Sequence, residues 1–429
     1  MSVESTASGL ARIASPFRLT QIACVVFFMS WVFPPSLYSH YMDEPDLLFL
    51  DPTTLVFFVL CVALFLMGVW VIGWLFPLRD QHSPDIGLKC SGIAFLLIPV
   101  VIGIGASIAS CFLMLKEYPL IILALASGQG EAIKNSDLSQ HAPLGLANIF
   151  LLGILWWAVW ESTKLPLPSG QRLLAKWVIG IGFACCLIDA TLKVSRVEGM
   201  LPIVGGAIVY ACSAARSLRR HLLSVSVVGA GVVVLFLAFD LIRGGSWDGM
   251  VSNLIGYTMA SYNRLTAVLD GRLRYEYGGR GTYLFTFIAF NNRLNAIIPF
   301  RILFQWPDFI DWWRAEFTGV SNAGLNGNYI WSGAFGYIFA DLNWLSPLWL
   351  FVYGLLYGWV WRAMQVGSIA GVVLYPWFGF CILFWSGNNY LVENKLLVLV
   401  LDVAALCIYK KLLSSRSLES ATGMKVLTG

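Results

Sequence analysis

The sequence predicts an all-α polytopic membrane protein. It would have about ten transmembrane helices, or about eleven to twelve if re-entrant segments are counted, and one large, partly helical outer loop. Three observations predict this class. Of 429 residues, 58% are hydrophobic and 12% charged, where soluble domains carry about 45–50% and about 25%; the mean hydropathy is +0.74. Apolar runs of about 20 residues, long enough to cross hydrocarbon, recur along the chain. One interval, residues 243–330, interrupts them with eight arginines (Arg243, Arg264, Arg272, Arg274, Arg280, Arg293, Arg301 and Arg314) and no lysine.

In order, the expected spans are 20–38, 53–76, 90–115, 143–161, 175–194, 201–215, 222–242, 334–361, 368–385 and 391–409. Backbone groups in lipid must be satisfied within the chain, so runs this continuous are helices. The eighth run is long for one crossing and divides into a half-inserted segment (331–342) and a shorter span (344–361). Residues 118–126 are apolar but too short to cross and are expected at the interface. The N-terminal run after Arg12 and Arg18 ends in Pro34-Pro35 without a small-residue cleavage signal, so it reads as an uncleaved first span. The chain therefore divides into 1–242 (about seven spans), the loop 243–330, the spans of 331–413 and a polar tail, 414–429.

Orientation follows from basic residues in short loops. Alternate loops carry Arg79 and Lys89; Lys164, Arg172 and Lys176; Arg216, Arg219 and Arg220; Arg362; and Lys410, Lys411 and Arg416. The other side is acidic or mixed, as in Asp43-Glu44-Pro45-Asp46. Both termini are expected on the cytoplasmic side and the long loop outside. The nine cysteines all lie in or beside apolar spans, so no disulfide framework and no zinc site is indicated.

Within the loop, the period of Val251, Leu254, Ile255, Tyr262, Leu265, Val268 and Leu269 predicts a helix over 251–270, stopped by Gly271. Tyr277-Gly-Gly-Arg-Gly281 predicts a turn, 283–290 is a short apolar run, and Pro307 can start another helix. The loop is too rich in aromatic and aliphatic residues to be a disordered tether. Forked guanidiniums suit bidentate recognition of phosphate, and aromatic faces suit flat apolar surfaces such as sugar rings. The cluster Arg272-Leu-Arg-Tyr-Glu-Tyr-Gly-Gly-Arg280 would suit a diphosphate. The bland alternative is solvation and attraction to anionic headgroups.

Two further features stand out. Arg196 sits in a tight loop, Lys193-Val-Ser-Arg-Val-Glu-Gly199, where it either contacts phosphate or pairs locally with Glu198. Asp341 lies deep in an apolar run, where an acid marks a function or a buried partner; a structural cap or an arginine partner is its simpler role. Asp189, Asp240, Glu393 and Asp402 also interrupt apolar spans, and a proton relay would favour a transporter. The four histidines (His40, His82, His141 and His221) all lie outside the long loop.

Taken in order, Ser195-Arg196, Tyr257-Thr-Met-Ala-Ser-Tyr-Asn-Arg264 and Tyr329…Gly336-Tyr-Ile-Phe-Ala-Asp341 resemble the Wzy-type O-antigen or oligosaccharide repeat-unit polymerases. The third piece leads into a helix carrying Gly354 and Gly358, and the resemblance covers about residues 180–362. Where that family commonly places a glycine-containing turn after the aspartate, this chain has Asp341-Leu-Asn-Trp344. The resemblance implies a GT-C-like glycosyltransferase of the bacterial inner membrane, multi-pass, with its large loop in the periplasm. It would join undecaprenyl-diphosphate-linked oligosaccharides, needing no metal and no cofactor, with a chain-length regulator and a flippase as partner proteins and no role for nucleic acid. Arg196, Arg264, Arg272, Arg280 and Asp341 are the expected catalytic residues. Arg274, Arg293, Tyr262, Asn322, Asn328 and Tyr329 are the expected substrate contacts. An O-antigen ligase is expected to carry a histidine in its large outer loop, which is missing here. A flippase or other transporter would be expected to show repeat symmetry and no folded arginine-rich outer segment.

Overall fold

The computed structural model describes residues 14–76, 93–127, 146–213, 218–242 and 245–426. Arg12, Arg79, Lys89, Arg216 and Arg243 lie outside the described residues. The described residues form helices and turns with no strand, as residues facing lipid must.

The helices are α1 (Pro16–Trp31), α2 (Pro35–Met42), α3 (Pro52–Leu75), α4 (Ile93–Glu117), α5 (Ile121–Ala126), α6 (Ala147–Lys164), α7 (Ser169–Leu192), α8 (Arg196–Ser213) and α9 (Leu218–Ile242). Then come α10 (Trp247–Tyr257), α11 (Met259–Leu269), α12 (Thr286–Ala289), α13 (Asn292–Ile297), α14 (Phe300–Phe304) and α15 (Phe309–Asn322). The chain closes with α16 (Gly333–Leu342), α17 (Ser346–Gln365), α18 (Ile369–Leu383) and α19 (Asn394–Val426). Among the described residues four stretches are long and apolar enough to cross a bilayer: α3, α4, α7 and the run Gly333–Gln365. The pair α1–α2, bent by 91°, makes a fifth if it is one span. The protein is therefore a helical, membrane-embedded one.

Local chemistry sets the boundaries. Ser15, Asp51, Ser246, Asp308 and Ser368 cap α1, α3, α10, α15 and α18 by accepting from backbone N–H groups in the first turn. The expected first span is shorter than its apolar run: Pro34 and Pro35 end α1 and start α2 at nearly a right angle. The stretch 251–270 is two helices rather than one, broken at Thr258 (φ −120°, ψ −78°). Gly271, at φ +71°, ends the second as expected. The long eighth run breaks at Asn343, whose φ of +50° separates α16 from the crossing helix α17.

α3 and α17 run in the same direction along their length. Phe57 meets Trp344 near one end, Gly68 meets Gly354 in the middle, and Arg362 donates to the Gly73 carbonyl near the other. A Cβ on Gly354 would come within 2.1 Å of the Phe65 carbonyl oxygen, and one on Gly68 within 2.3 Å of that of Phe351. Small residues let two backbones approach without a strong hydrophobic drive, as membrane helices require.

The outer segment is built into the bundle. Buried α11 packs against α1, α3 and α16. Thr266 Oγ1 hydrogen-bonds Thr54 Oγ1 of α3 at 2.9 Å, and Asn263 Oδ1 accepts from the Leu47 N–H at 2.6 Å.

Candidate outer-face site

Arg264 lies on α11 and is 0% exposed. Its Nη1 and Nη2 grip Glu44 in a fork, each at 2.8 Å. The second proton on each nitrogen goes to the carbonyl of Ala260 or Asn326, both at 2.9 Å, and Nε donates to the Tyr329 carbonyl. All five guanidinium N–H donors are thus used inside the protein. The sequence predicts a catalytic Arg264; the structure places it as a lock that ties α11, the acidic loop at Glu44 and the 326–329 turn together. Tyr262, expected on substrate, is likewise buried, edge-on to Phe27 with centroids 5.0 Å apart. It is a packing residue because its face of α11 points into the core rather than out of it.

A second polar cluster adjoins the lock through Tyr329. The Tyr329 hydroxyl hydrogen-bonds Asn253 Oδ1 at 3.1 Å, and Asn253 Nδ2 donates to Asp240 at 2.9 Å. Asp240 forms an ion pair with Arg196. The Arg196 guanidinium also lies over the rings of Phe236 (4.5 Å) and Tyr257 (5.2 Å). Gly256 makes room for this junction, since a Cβ there would come within 2.1 Å of the Tyr329 ring. Arg196 is 5% exposed and its acid is Asp240 on α9, not Glu198. Glu198 pairs with Lys193 at 3.4 Å, and Lys193 reaches Asp189 at 2.6 Å.

Asp341 does the simpler of its two expected jobs. Its carboxylate accepts from the backbone N–H groups of Gly281 (3.1 Å), Tyr283 (2.8 Å) and Leu284 (3.0 Å), fixing the glycine turn against α16. Gly278 permits that approach: a Cβ would lie 2.6 Å from the Ala340 carbonyl oxygen. Among the described residues no charged group pairs with it, and these contacts make Asp341 a cap for the glycine turn.

The remaining arginines face outward. After Gly271 the chain alternates, with Leu273 and Tyr275 buried and Arg272, Arg274 and Glu276 exposed. Alternation puts the three polar side chains on one face. The guanidinium groups of Arg272, Arg274, Arg293 and Arg314 make no hydrogen bond or ion pair with any described residue. Arg280 is exposed, donates to the Gln305 carbonyl at 3.1 Å and lies 5.9 Å from the Tyr277 ring. Asn322 and Asn328 are exposed, and Tyr329 is half-buried. Arg264 and Tyr329 thus meet directly, and Arg196 joins them through Asp240 and Asn253. Asp341 belongs instead to the glycine turn, and the Arg272–Glu276 face is a third place.

Sequence reasoning missed Glu316. It is 1% exposed on α15, and one carboxylate oxygen accepts from the Tyr283 hydroxyl at 2.5 Å. The other oxygen has no partner among the described residues. Burial pushes its pKa up to about 8, against the opposing hydrogen bonds of Tyr283 and Tyr337. The signal was present: Trp312, Glu316 and Val320 recur every four residues, placing an acid in the apolar stripe of a helix.

Compared with protein-family models, curated proteins and solved structures, the chain matches none.

Proposed function

We propose that the protein polymerises oligosaccharide units carried on a lipid diphosphate, working at the outer face of a bacterial inner membrane. On this reading about ten helices cross, both termini are cytoplasmic and residues 243–330 lie outside. Basic residues at Lys164, Arg172, Arg362 and Lys410 on one end of the bundle support the orientation.

The observation that carries the proposal is the stretch bearing Arg272, Arg274 and Glu276: two exposed guanidiniums that form no ion pair among the described residues, with Asp270 near Arg272 and a carboxylate two residues on from Arg274. In the proposed step a sugar hydroxyl of one lipid-linked unit attacks the anomeric carbon of the growing chain. The bond from that carbon to the diphosphate oxygen breaks, and the lipid diphosphate leaves with the electron pair. Arg272 and Arg274 stabilise the charge that develops on the leaving oxygen. Glu276 takes the hydroxyl proton. Arg280 and Arg293, on the following turns, supply further phosphate or sugar contacts, with Asn322 and Asn328 available to hydroxyls. Arg196 holds α8 to α9 and α10 through Asp240 and Tyr257.

Deleting the gene and analysing surface glycan tests the reading. A glycan reduced to a single repeat supports polymerisation. Full-length polymer left on its lipid carrier would mean ligation, and lipid-linked units trapped on the inner leaflet would mean a flippase.

A further inference from the structure

The hairpin α13–α14 has its polarity inverted. Its polar groups hold it together from within. The Asn295 amide donates to the carbonyls of Ile288 (2.7 Å), Ala289 (3.3 Å) and Asn291 (2.9 Å), and its oxygen accepts from the Arg301 N–H at 3.0 Å. Arg301 Nε donates to the Ala289 carbonyl and Nη2 to Asn292 Oδ1, both at 2.8 Å. Its aliphatic residues point outward: Ile302 is 80% exposed, Ile297 78%, Leu303 65% and Phe304 52%. A water-facing hairpin places these groups the other way round.

Charge and position identify what covers this edge. Residues 277–307 contain Arg280, Arg293 and Arg301 and no acid. The hairpin follows directly on α12, which packs against α19, and Phe285 touches the Trp349 ring of α17 with centroids 6.3 Å apart. Close by, the start of α17 exposes Trp344, Leu345 and Leu348 at 60%, 61% and 59%, an aromatic and aliphatic band like those found at membrane interfaces. The aliphatic edge of the hairpin thus continues a lipid-facing surface.

We propose that α13–α14 is a rigid wedge inserted into the outer-side leaflet of the bilayer, with Ile297, Ile302, Leu303 and Phe304 among the acyl chains and exposed Arg293 level with the lipid phosphates. The wedge is pre-formed, so insertion orders little additional backbone. It holds the outer segment at a fixed height above the membrane. It rests on the orientation proposed above, with this segment outside, and not on the proposed glycosyl transfer.

Photocrosslinking of the full chain in native membranes tests it. A benzophenone amino acid is placed at position 302 or, for comparison, at the exposed position 322 on α15. Lipid adducts at 302 in at least tenfold excess over 322 are expected. Comparable labelling at the two positions, no lipid adduct at 302, or a crosslink from 302 to a second copy of the chain would overturn the wedge.

Discussion

Two sets of arginines occupy the same outer segment and have opposite physics. Arg264 is sealed, with every donor on a protein oxygen and Glu44 beneath it. Arg272 and Arg274, only a few residues on, are exposed and their guanidiniums form no hydrogen bond or ion pair among the described residues. The difference comes from local geometry. Arg264 sits mid-helix on a face that packs into the bundle, whereas Arg272 and Arg274 follow Gly271, where the chain leaves the helix and alternates. An arginine-rich loop therefore divides into residues that build the platform and residues that can meet a ligand.

The largest effect is expected from breaking the platform. Arg264→Ala leaves the buried Glu44 carboxylate without its cation and takes a donor from each of three carbonyls, costing about 3–5 kcal/mol. Thermal unfolding of the purified protein in detergent should show a clear drop in Tm, and a wild-type Tm would remove the lock from the account. Pairing Arg264→Met with Glu44→Leu should recover much of the loss, because the buried charge goes with its partner.

The next prediction sharpens the comparison by testing a buried acid with no basic partner. Glu316 has its folded pKa raised to about 8 from 4.5. Its favourable contribution is full below about pH 4.5 and is lost as pH rises toward 8, because the folded state prefers the proton. Stability of the wild type should therefore fall by a few kcal/mol across that window. Glu316→Gln should flatten the profile; identical pH profiles for the two proteins would show that Glu316 does not titrate in this way.

The smallest effect is expected at Arg314, which is exposed on α15 and has no arginine two residues away. Arg314→Ala should change stability by no more than about 0.5 kcal/mol and leave polymer length on a gel unaltered. Loss of polymer there would show that exposure alone, rather than the paired face at 272–276, defines the working arginines.

Much of the helical layout was legible because apolar runs and caps act locally. Gly271 and the Pro34-Pro35 pair each mark the boundary found in the structure, and the helix expected to start at Pro307 starts two residues on, at Phe309, capped by Asp308. The break at Thr258 was not legible, since no proline or glycine stands there; tertiary packing of α10 and α11 on different neighbours decides it. The Glu44–Arg264 lock joins residues 220 positions apart, and no periodic signal carries a contact of that span. Glu44 looked like one of several loop acids that orient the chain. The partners of Arg196 were misassigned for a similar reason: the near acid, Glu198, goes to Lys193, and the distant one, Asp240, reaches the guanidinium.

The central claim is that the Arg272–Arg274 face carries the chemistry while Arg264 carries the fold. The direct measurement is a reaction of purified Arg272→Ala/Arg274→Ala protein with lipid-diphosphate-linked oligosaccharide, with Tm taken on the same sample. An unchanged Tm with a polymerisation rate lower by about 100–1000-fold is predicted. A normal polymer ladder from a protein of unchanged Tm would contradict the claim.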